Sequence, residues 1–126
     1  VLGLGKAIEY LESVGMDAIH AHERELLSYA LERAAADPDV EVYGTGDGSD
    51  RGGILSFNVR DVHPHDTGAL LDQEGVAVRT GFHCAQPLMQ VFGVVGTTRA
   101  SFYLYNTTED IDQLFRGIER VKSVFL

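Results

Sequence analysis

Ile54-Leu55-Ser56-Phe57-Asn58-Val59 is the stretch that decides the fold, because it is the clearest β-strand in the sequence. Immediately before it, residues 44–53 form a polar, glycine-rich loop, which we expect to be the most flexible segment. On the other side of that loop, Val40-Glu41-Val42-Tyr43 alternates between apolar and polar residues and predicts a short strand. The linker between the two strands is hairpin-like, and this favours antiparallel pairing.

A helix is predicted to follow the central strand. Pro64 suits the first turn of a helix, and Asp66 would complement its positive end. The helix should run to about residue 74, with Leu70 and Leu71 pointing inward and Gly75 as its natural end. Beyond it we predict a strand over 76–79, a loop over 80–87 and a short helix over 87–92 that stops at Gly93. A further strand over 99–105 should place Ala100, Phe102 and Leu104 on one face.

Amphipathic helices flank this region on both sides. In each, apolar residues recur at steps of three and four. Residues 107–110 approximate a capping box for the final helix, and Asp37-Pro38 stops the second helix. The apolar residues are Leu4, Ile8, Leu11 and Val14 in an opening helix that Gly15 ends; Ile19, Leu26, Leu27, Ala30 and Leu31 in a second helix over 17–36; and Ile111, Leu114, Phe115, Ile118 and Val121 in the final helix.

The predicted element order is α-α-β-β-α-β-α-β-α, which indicates an α+β fold. We expect a small, mostly antiparallel sheet with helices packed on one face. The length of 126 residues fits a single domain over 1–126.

The amino-acid composition limits which kinds of binding partner are expected. The formal net charge of −9 argues against nucleic acid and anionic membrane surfaces. No apolar run approaches the length of a membrane-spanning helix. The one cysteine excludes an internal disulfide and fits a reducing cytoplasm, where a lone thiol can be functional.

That cysteine, Cys84, lies in the predicted loop over 80–87, which glycine and proline punctuate. Loops commonly present functional groups, and the thiolate form of cysteine is a good nucleophile. His83 beside it, or Arg79 a few residues earlier, could favour that form. From the residues alone, a buried cysteine that acts as a small hydrophobe is an equal alternative.

Two arginines and two histidines are further candidates. Arg79 ends one predicted strand and Arg99 begins another, and arginine can hold a carboxylate through two parallel hydrogen bonds. From the spacing alone, ordinary surface arginines are the favoured interpretation. His63 and His65, with the neighbouring carboxylate, could bind a metal together with the histidine and cysteine of the loop. Because there is no paired cysteine motif, we favour helix initiation for this segment and predict no metal site.

Taken together, these motifs resemble the SUF-type (group II) cysteine desulfurases, which belong to the class V aminotransferase family of fold-type I enzymes that use pyridoxal phosphate (PLP). The most specific part is the pattern Arg-x-Gly-x-His-Cys-Ala-x-Pro over 79–87. The resemblance covers nearly the whole chain and departs from the family at Phe82, where a histidine is usual. Its other runs are FN at 57–58, HPHD at 63–66, LDQEGVAVRTG at 71–81, HCAQPLM at 83–89 and TRASFYLYNT at 98–107.

The resemblance implies the C-terminal small domain of such an enzyme, with residues 1–15 leading in from a large domain. It assigns Cys84 as the nucleophile that takes sulfur from L-cysteine as a persulfide, Arg99 to the substrate carboxylate, and Arg79 and His83 to positions near the site. It further implies a homodimeric full-length enzyme, L-alanine as product, and a SUF-type acceptor protein that carries the sulfur to iron–sulfur cluster assembly.

The resemblance also implies PLP in the full-length enzyme, bound by a lysine of the large domain. The two lysines of this chain, Lys6 and Lys122, lie in amphipathic helices where solvent-facing positions explain them. We therefore expect no PLP to bind to this chain alone, and we expect the chain alone to be inactive. A selenocysteine lyase or cysteine sulfinate desulfinase of the same family, and a stand-alone sulfur-carrier module that uses Cys84, remain open.

Overall fold

The computed structural model describes residues 1–45 and 51–126. In the described residues the order of elements is the predicted one. The helices are α1 (Leu2–Val14), α2 (Met16–Ala35), α3 (Pro64–Gln73), α4 (Gln86–Phe92) and α5 (Thr108–Phe125), and the strands are β1 (Val40–Tyr43), β2 (Ile54–Val59), β3 (Arg79–Gly81) and β4 (Thr97–Ser101).

The strands form one antiparallel sheet in the order β1-β2-β4-β3. The α+β prediction is confirmed, including the mostly antiparallel sheet. The predicted flexible loop over 44–53 is described only at its two ends, since residues 46–50 lie outside the described part of the chain.

One face of the sheet is covered by α2, α3 and α5, and the core lies there. Side chains alternate between the two faces of a strand, and Leu55, Phe57 and Val59 of β2 all point into this core with at most 1% of their surface exposed. α3 and α5 approach closely at Gly117, where an added Cβ would lie 2.6 Å from Leu71 Cδ2. The helix residues that complete the core are Leu26, Ala30 and Ala34 of α2, Leu71 of α3, and Ile111, Leu114, Phe115, Ile118 and Val121 of α5.

Helix ends follow the sequence closely. Pro64 occupies the first turn of α3, and Gly93 ends α4 in the left-handed conformation with φ of 72°. The Thr107–Asp110 capping box at the start of α5 is present in both directions. α1 forms as predicted, but it buries none of its residues in the described structure.

Two strand predictions were wrong in their bounds. Residues 76–78 are not a strand, because β4 pairs with β3 only through Thr97, Thr98 and Arg99 and so leaves them without a partner. β3 instead begins at Arg79 and takes in Thr80 and Gly81, which were predicted to be loop.

The predicted strand over 99–105 is also shifted. β4 begins two residues earlier and ends at Ser101, because the chain then turns. Asn106 closes that turn: its backbone N–H donates to the Tyr103 carbonyl, and its Oδ1 accepts from the Tyr103 N–H. Of the three residues predicted to share one face, Ala100 and Phe102 are buried, whereas Leu104 lies in the turn and is only half-buried.

None of the helices in the described ranges is long and apolar enough to cross a membrane.

Candidate active site

Two arginines lie side by side on the sheet face opposite the core. Arg79 of β3 pairs directly with Arg99 of β4, and Arg99 points away from the core because its neighbour Ala100 points into it. Like charges directly opposite each other on a sheet repel. The Nε of Arg99 is buried and has no hydrogen-bond partner among the described residues. An anionic group bound here would relieve both costs, and a carboxylate has the geometry that guanidinium groups prefer.

The cysteine is carried on a tight turn that directly follows β3. The backbone N–H of Ala85 donates to the Phe82 carbonyl at 2.8 Å and closes the turn. The two central residues, His83 and Cys84, both have positive φ, of 53° and 60°. For residues other than glycine this left-handed conformation costs about 1–2 kcal/mol each, so the surrounding structure must hold the turn in place.

Cys84 is exposed, so the sequence alternative of a buried structural cysteine does not apply in this structure. The Nη2 of Arg79 lies 3.6 Å from its Sγ. At that distance the guanidinium can donate a hydrogen bond to the sulfur. Arg79 therefore contacts the thiol and also lies next to Arg99.

His83 has a different environment from the one that its place beside Cys84 suggests. Its Nε2 lies 3.0 Å from both the backbone carbonyl and the Oγ1 of Thr97. Because a carbonyl oxygen can only accept, Nε2 carries the proton. Burial lowers the pKa of His83 below its usual value, and the nearby charges of Arg99 and Arg79 lower it further, although the bond to Thr97 opposes them. His83 is therefore neutral at neutral pH, which leaves Arg79 as the positive charge in contact with the sulfur.

A cleft of about 830 Å³ opens beside the turn, within the size range of small-molecule sites. Arg79, Phe82, His83 and Cys84 line it, whereas Arg99, the strand partner of Arg79, is not among its lining residues. A second cleft of about 740 Å³ adjoins it and shares His63.

The two histidines at the start of α3 contact the helix end and each other. His63 caps α3, since its Nδ1 accepts from the backbone N–H of His65 at 3.2 Å. The two rings meet edge to face with centroids 5.1 Å apart. In the part of the chain that the structure describes, no group of three or more His, Cys, Asp or Glu residues is placed to hold a metal.

His22 of α2 is half-buried, and its Nε2 lies 2.9 Å from the Asn106 carbonyl.

Two further residues, Asn58 and Thr97, support the site through hydrogen bonds. Asn58 of β2 donates to the Gly96 carbonyl at 2.9 Å and accepts from the Thr98 N–H at 3.3 Å. Thr97, between them, is the partner of His83. The signal for Asn58 was an amide within a strand, where asparagine is uncommon, whereas no local signal marks Thr97.

Comparisons with known proteins agree on one family. The aminotransferase class-V family model matches residues 1–114. Probable cysteine desulfurases from Halalkalibacterium halodurans and Staphylococcus aureus are each 52% identical over 124 residues. These alignments cover 98% of this chain but only 30% of either relative, so the chain spans about a third of the length of the curated relatives that it matches.

Two solved structures also match nearly the whole of this chain. The apo structure of a cysteine desulfurase from Thermococcus onnurineus matches with a TM-score of 0.90 at 38% identity, covering 96% of this chain and 30% of that one. The cysteine desulfurase CsdA from Escherichia coli matches with a TM-score of 0.89 at 34% identity, covering 98% and 30%.

Proposed function

Because this chain belongs to the aminotransferase class-V family, we propose that it is the C-terminal small domain of a PLP-dependent cysteine desulfurase, which removes sulfur from L-cysteine and releases L-alanine. The names of its relatives support this reaction. The observation that carries the proposal is the contact between the Arg79 guanidinium and the exposed Cys84 thiol, next to the unsatisfied Arg99. In this proposal, this part of the enzyme supplies the nucleophile and the carboxylate-binding group that the reaction needs.

Arg99 binds the substrate carboxylate in this proposal. Its half-buried guanidinium has an Nε without a partner in the described structure, and a carboxylate oxygen would satisfy it. Bound there, the anion also screens Arg99 from the opposing Arg79. The substrate is thereby held beside the strand that leads into the thiol turn.

Cys84 acts as the nucleophile. Its thiolate attacks the sulfur of the bound L-cysteine, and a new S–S bond forms. The Cβ–S bond of the substrate breaks with its electron pair moving to Cβ, which takes up a proton. The products are a persulfide on Cys84 and L-alanine, and no external oxidant or reductant is required. Arg79 stabilises the thiolate before the attack.

The cofactor would be held by residues outside this chain. Lys6 pairs with Glu9, and Lys122 pairs with Asp37 and Glu119. Neither lysine is among the residues that line the Cys84 cleft. When bound, PLP supplies the electron sink that makes the Cβ–S bond of the substrate reactive. We expect no protein-bound PLP absorbance after the chain alone is mixed with the cofactor and the free cofactor is removed.

The geometry of the turn bears on how sulfur leaves the enzyme. The turn is closed at both ends, by β3 and by α4, and it is too short to carry the thiol far from the cleft. An acceptor protein must therefore come to Cys84. We propose a SUF-type acceptor that passes the sulfur to iron–sulfur cluster assembly, a homodimeric full-length enzyme, and a location in the reducing cytoplasm, where a lone thiol persists.

Slow turnover without an acceptor is a consequence of the short turn. We expect the rate of alanine formation by the full-length enzyme to rise when a SUF-type acceptor is added. An enzyme that runs fast alone and gains nothing from any acceptor would contradict this part of the proposal.

The reaction itself is tested by alanine release from L-cysteine, measured on the full-length PLP enzyme. Cys84→Ser should reduce the rate by roughly 10³-fold or more, because the nucleophile is lost. Gln86→Ala is the matched control, since Gln86 is exposed and lines the same cleft. It should stay close to the unsubstituted enzyme.

The same assay with L-selenocysteine and L-cysteine sulfinate separates the proposal from the related reactions of the family. Faster turnover of either compound than of L-cysteine, or an undiminished Cys84→Ser enzyme, would overturn the desulfurase assignment.

A further inference from the structure

His83 is the neutral, half-buried member of the thiol turn, and its role is distinct from that of the two arginines. Its ring spans from the turn to β4, where Nε2 lies 3.0 Å from the Thr97 carbonyl and from Thr97 Oγ1. Thr97 is 1% exposed and lies two residues from Arg99 on the same face of β4. The ring therefore joins the segment that carries the nucleophile to the strand that carries the carboxylate-binding arginine.

The point of attachment on β4 is itself fixed. Asn58 holds the residues on both sides of Thr97, through the Gly96 carbonyl and the Thr98 N–H. Gly96 packs against the backbone of Gly81, since a Cβ at Gly96 would lie 3.1 Å from Gly81 atoms. A hydrogen bond to this part of β4 is thus a bond to the rigid sheet.

The turn depends on such a tertiary bond. Its two central residues are both left-handed without being glycine, a conformation that persists only where the surroundings enforce it. If the bond to Thr97 is lost, the turn can relax, and Cys84 Sγ moves away from the Arg79 guanidinium.

We propose that His83 is a positioning residue, which uses its Nε2–H bond to Thr97 to hold Cys84 against Arg79 and in register with Arg99. The role rests on the proposed function for its catalytic consequence, but the placement of the thiol can be measured without turnover. His83 acts through the position of the sulfur and takes no part in proton transfer.

Two substitutions separate the hydrogen bond from the backbone conformation. Glutamine places its amide nitrogen at about the position of histidine Nε2, so His83→Gln keeps the reach to Thr97 but is less suited to a positive φ. Asparagine tolerates a positive φ well, but its amide nitrogen corresponds to Nδ1 and falls short of Thr97. A positioning role predicts that glutamine rescues and asparagine does not, whereas a need for the left-handed conformation alone predicts the reverse.

The readout is the rate of Cys84 alkylation by iodoacetamide at pH 7, measured on the full-length PLP enzyme. His83→Gln should remain within about twofold of the unsubstituted enzyme, and His83→Asn should fall about fivefold and no further than Arg79→Gln, because the contact with the Arg79 guanidinium is what the variant loses. Thr97→Val, which removes Oγ1 but keeps the carbonyl, should fall less than His83→Asn. Asparagine at or above glutamine, or equal rates in all variants, would overturn the positioning role.

Steady-state kinetics link the result to the reaction. In His83→Asn, kcat for alanine formation should fall by about the same factor as alkylation, while KM for L-cysteine stays unchanged because Arg99 is intact. A rise in KM with unchanged kcat would contradict the role. If the unsubstituted enzyme forms no alanine at all, the proposed function fails, and the alkylation series still decides on His83.

Discussion

The two faces of the sheet differ in what they contain and in what they do. On the face covered by α2, α3 and α5, β2 contributes Leu55, Phe57 and Val59, whose side chains are almost completely buried. On the opposite face, β3 and β4 bring two arginines into direct opposition, next to a turn with two strained residues. The first face stabilises the fold. The second contains a strained turn and two like charges, which lower the stability but bring the site residues together.

The largest stability effect should come from the covered face. Phe57→Ala leaves a cavity in the core and should lower the free energy of unfolding by about 3–5 kcal/mol. Ile54 is the matched control, because it lies on the same strand but points to the opposite face and is 42% exposed. Ile54→Ala should cost less than about 1 kcal/mol in the same urea titration. Equal losses would break the distinction between the two faces.

On the site face, the largest effect on KM should come from Arg99. Arg99→Gln removes the charge proposed to bind the substrate carboxylate, and it should raise KM for L-cysteine about 10–100-fold, the value of charged hydrogen bonds of about 1.5–3 kcal/mol. The free energy of unfolding should stay the same or rise slightly, because the repulsion from Arg79 is relieved. Steady-state kinetics measure the change in KM, and urea unfolding measures the change in the free energy of unfolding. An unchanged KM would place the carboxylate elsewhere.

A smaller effect is expected for Arg79, which is exposed. Arg79→Gln should slow alkylation of Cys84 at pH 7 by a few-fold, since solvent-exposed charges interact by about 0.2–1 kcal/mol. The difference from the unsubstituted enzyme should shrink as salt is added, because salt screens the guanidinium. A difference that is independent of salt would argue for a steric cause.

The smallest effect is expected for Thr67, on the covered face. Its Oγ1 is buried and finds no hydrogen-bond partner in the described part of the chain. Thr67→Val keeps the shape and removes the unsatisfied hydroxyl, so it should change the free energy of unfolding by about 0–1 kcal/mol, toward greater stability. Thr97→Val is the matched control, because the hydroxyl of Thr97 is bonded to His83 and its loss should destabilise. A clear loss of stability at Thr67 would show that its hydroxyl does have a partner.

The covered face could be predicted from the sequence to a large extent. All five residues of α5 that the apolar periodicity predicted to lie on one side of the helix are buried, and the bounds of β1 and β2 were predicted correctly. Local signals sufficed there, because period and capping are properties of neighbouring residues. The bounds of β3 and β4 were not predicted, since they depend on which residues of distant segments pair.

For the site face, the sequence supplied candidate residues but not their arrangement. Cys84, Arg79 and Arg99 were all identified from the sequence, yet their juxtaposition follows from the register between β3 and β4. His83 shows the limit most clearly. Adjacency to the cysteine suggested that it could favour the thiolate, but its ring turns to Thr97, a residue 14 positions away, and is neutral.

The central claim is that the site face presents Cys84 as the sulfur-accepting nucleophile. The most direct measurement is mass spectrometry of the full-length PLP enzyme after brief exposure to L-cysteine, with mapping of the peptide that contains Cys84. One additional sulfur atom on Cys84, absent from Cys84→Ser, is the predicted result. An unmodified Cys84 in an enzyme that binds PLP and consumes L-cysteine would contradict the claim and leave the thiol outside the reaction.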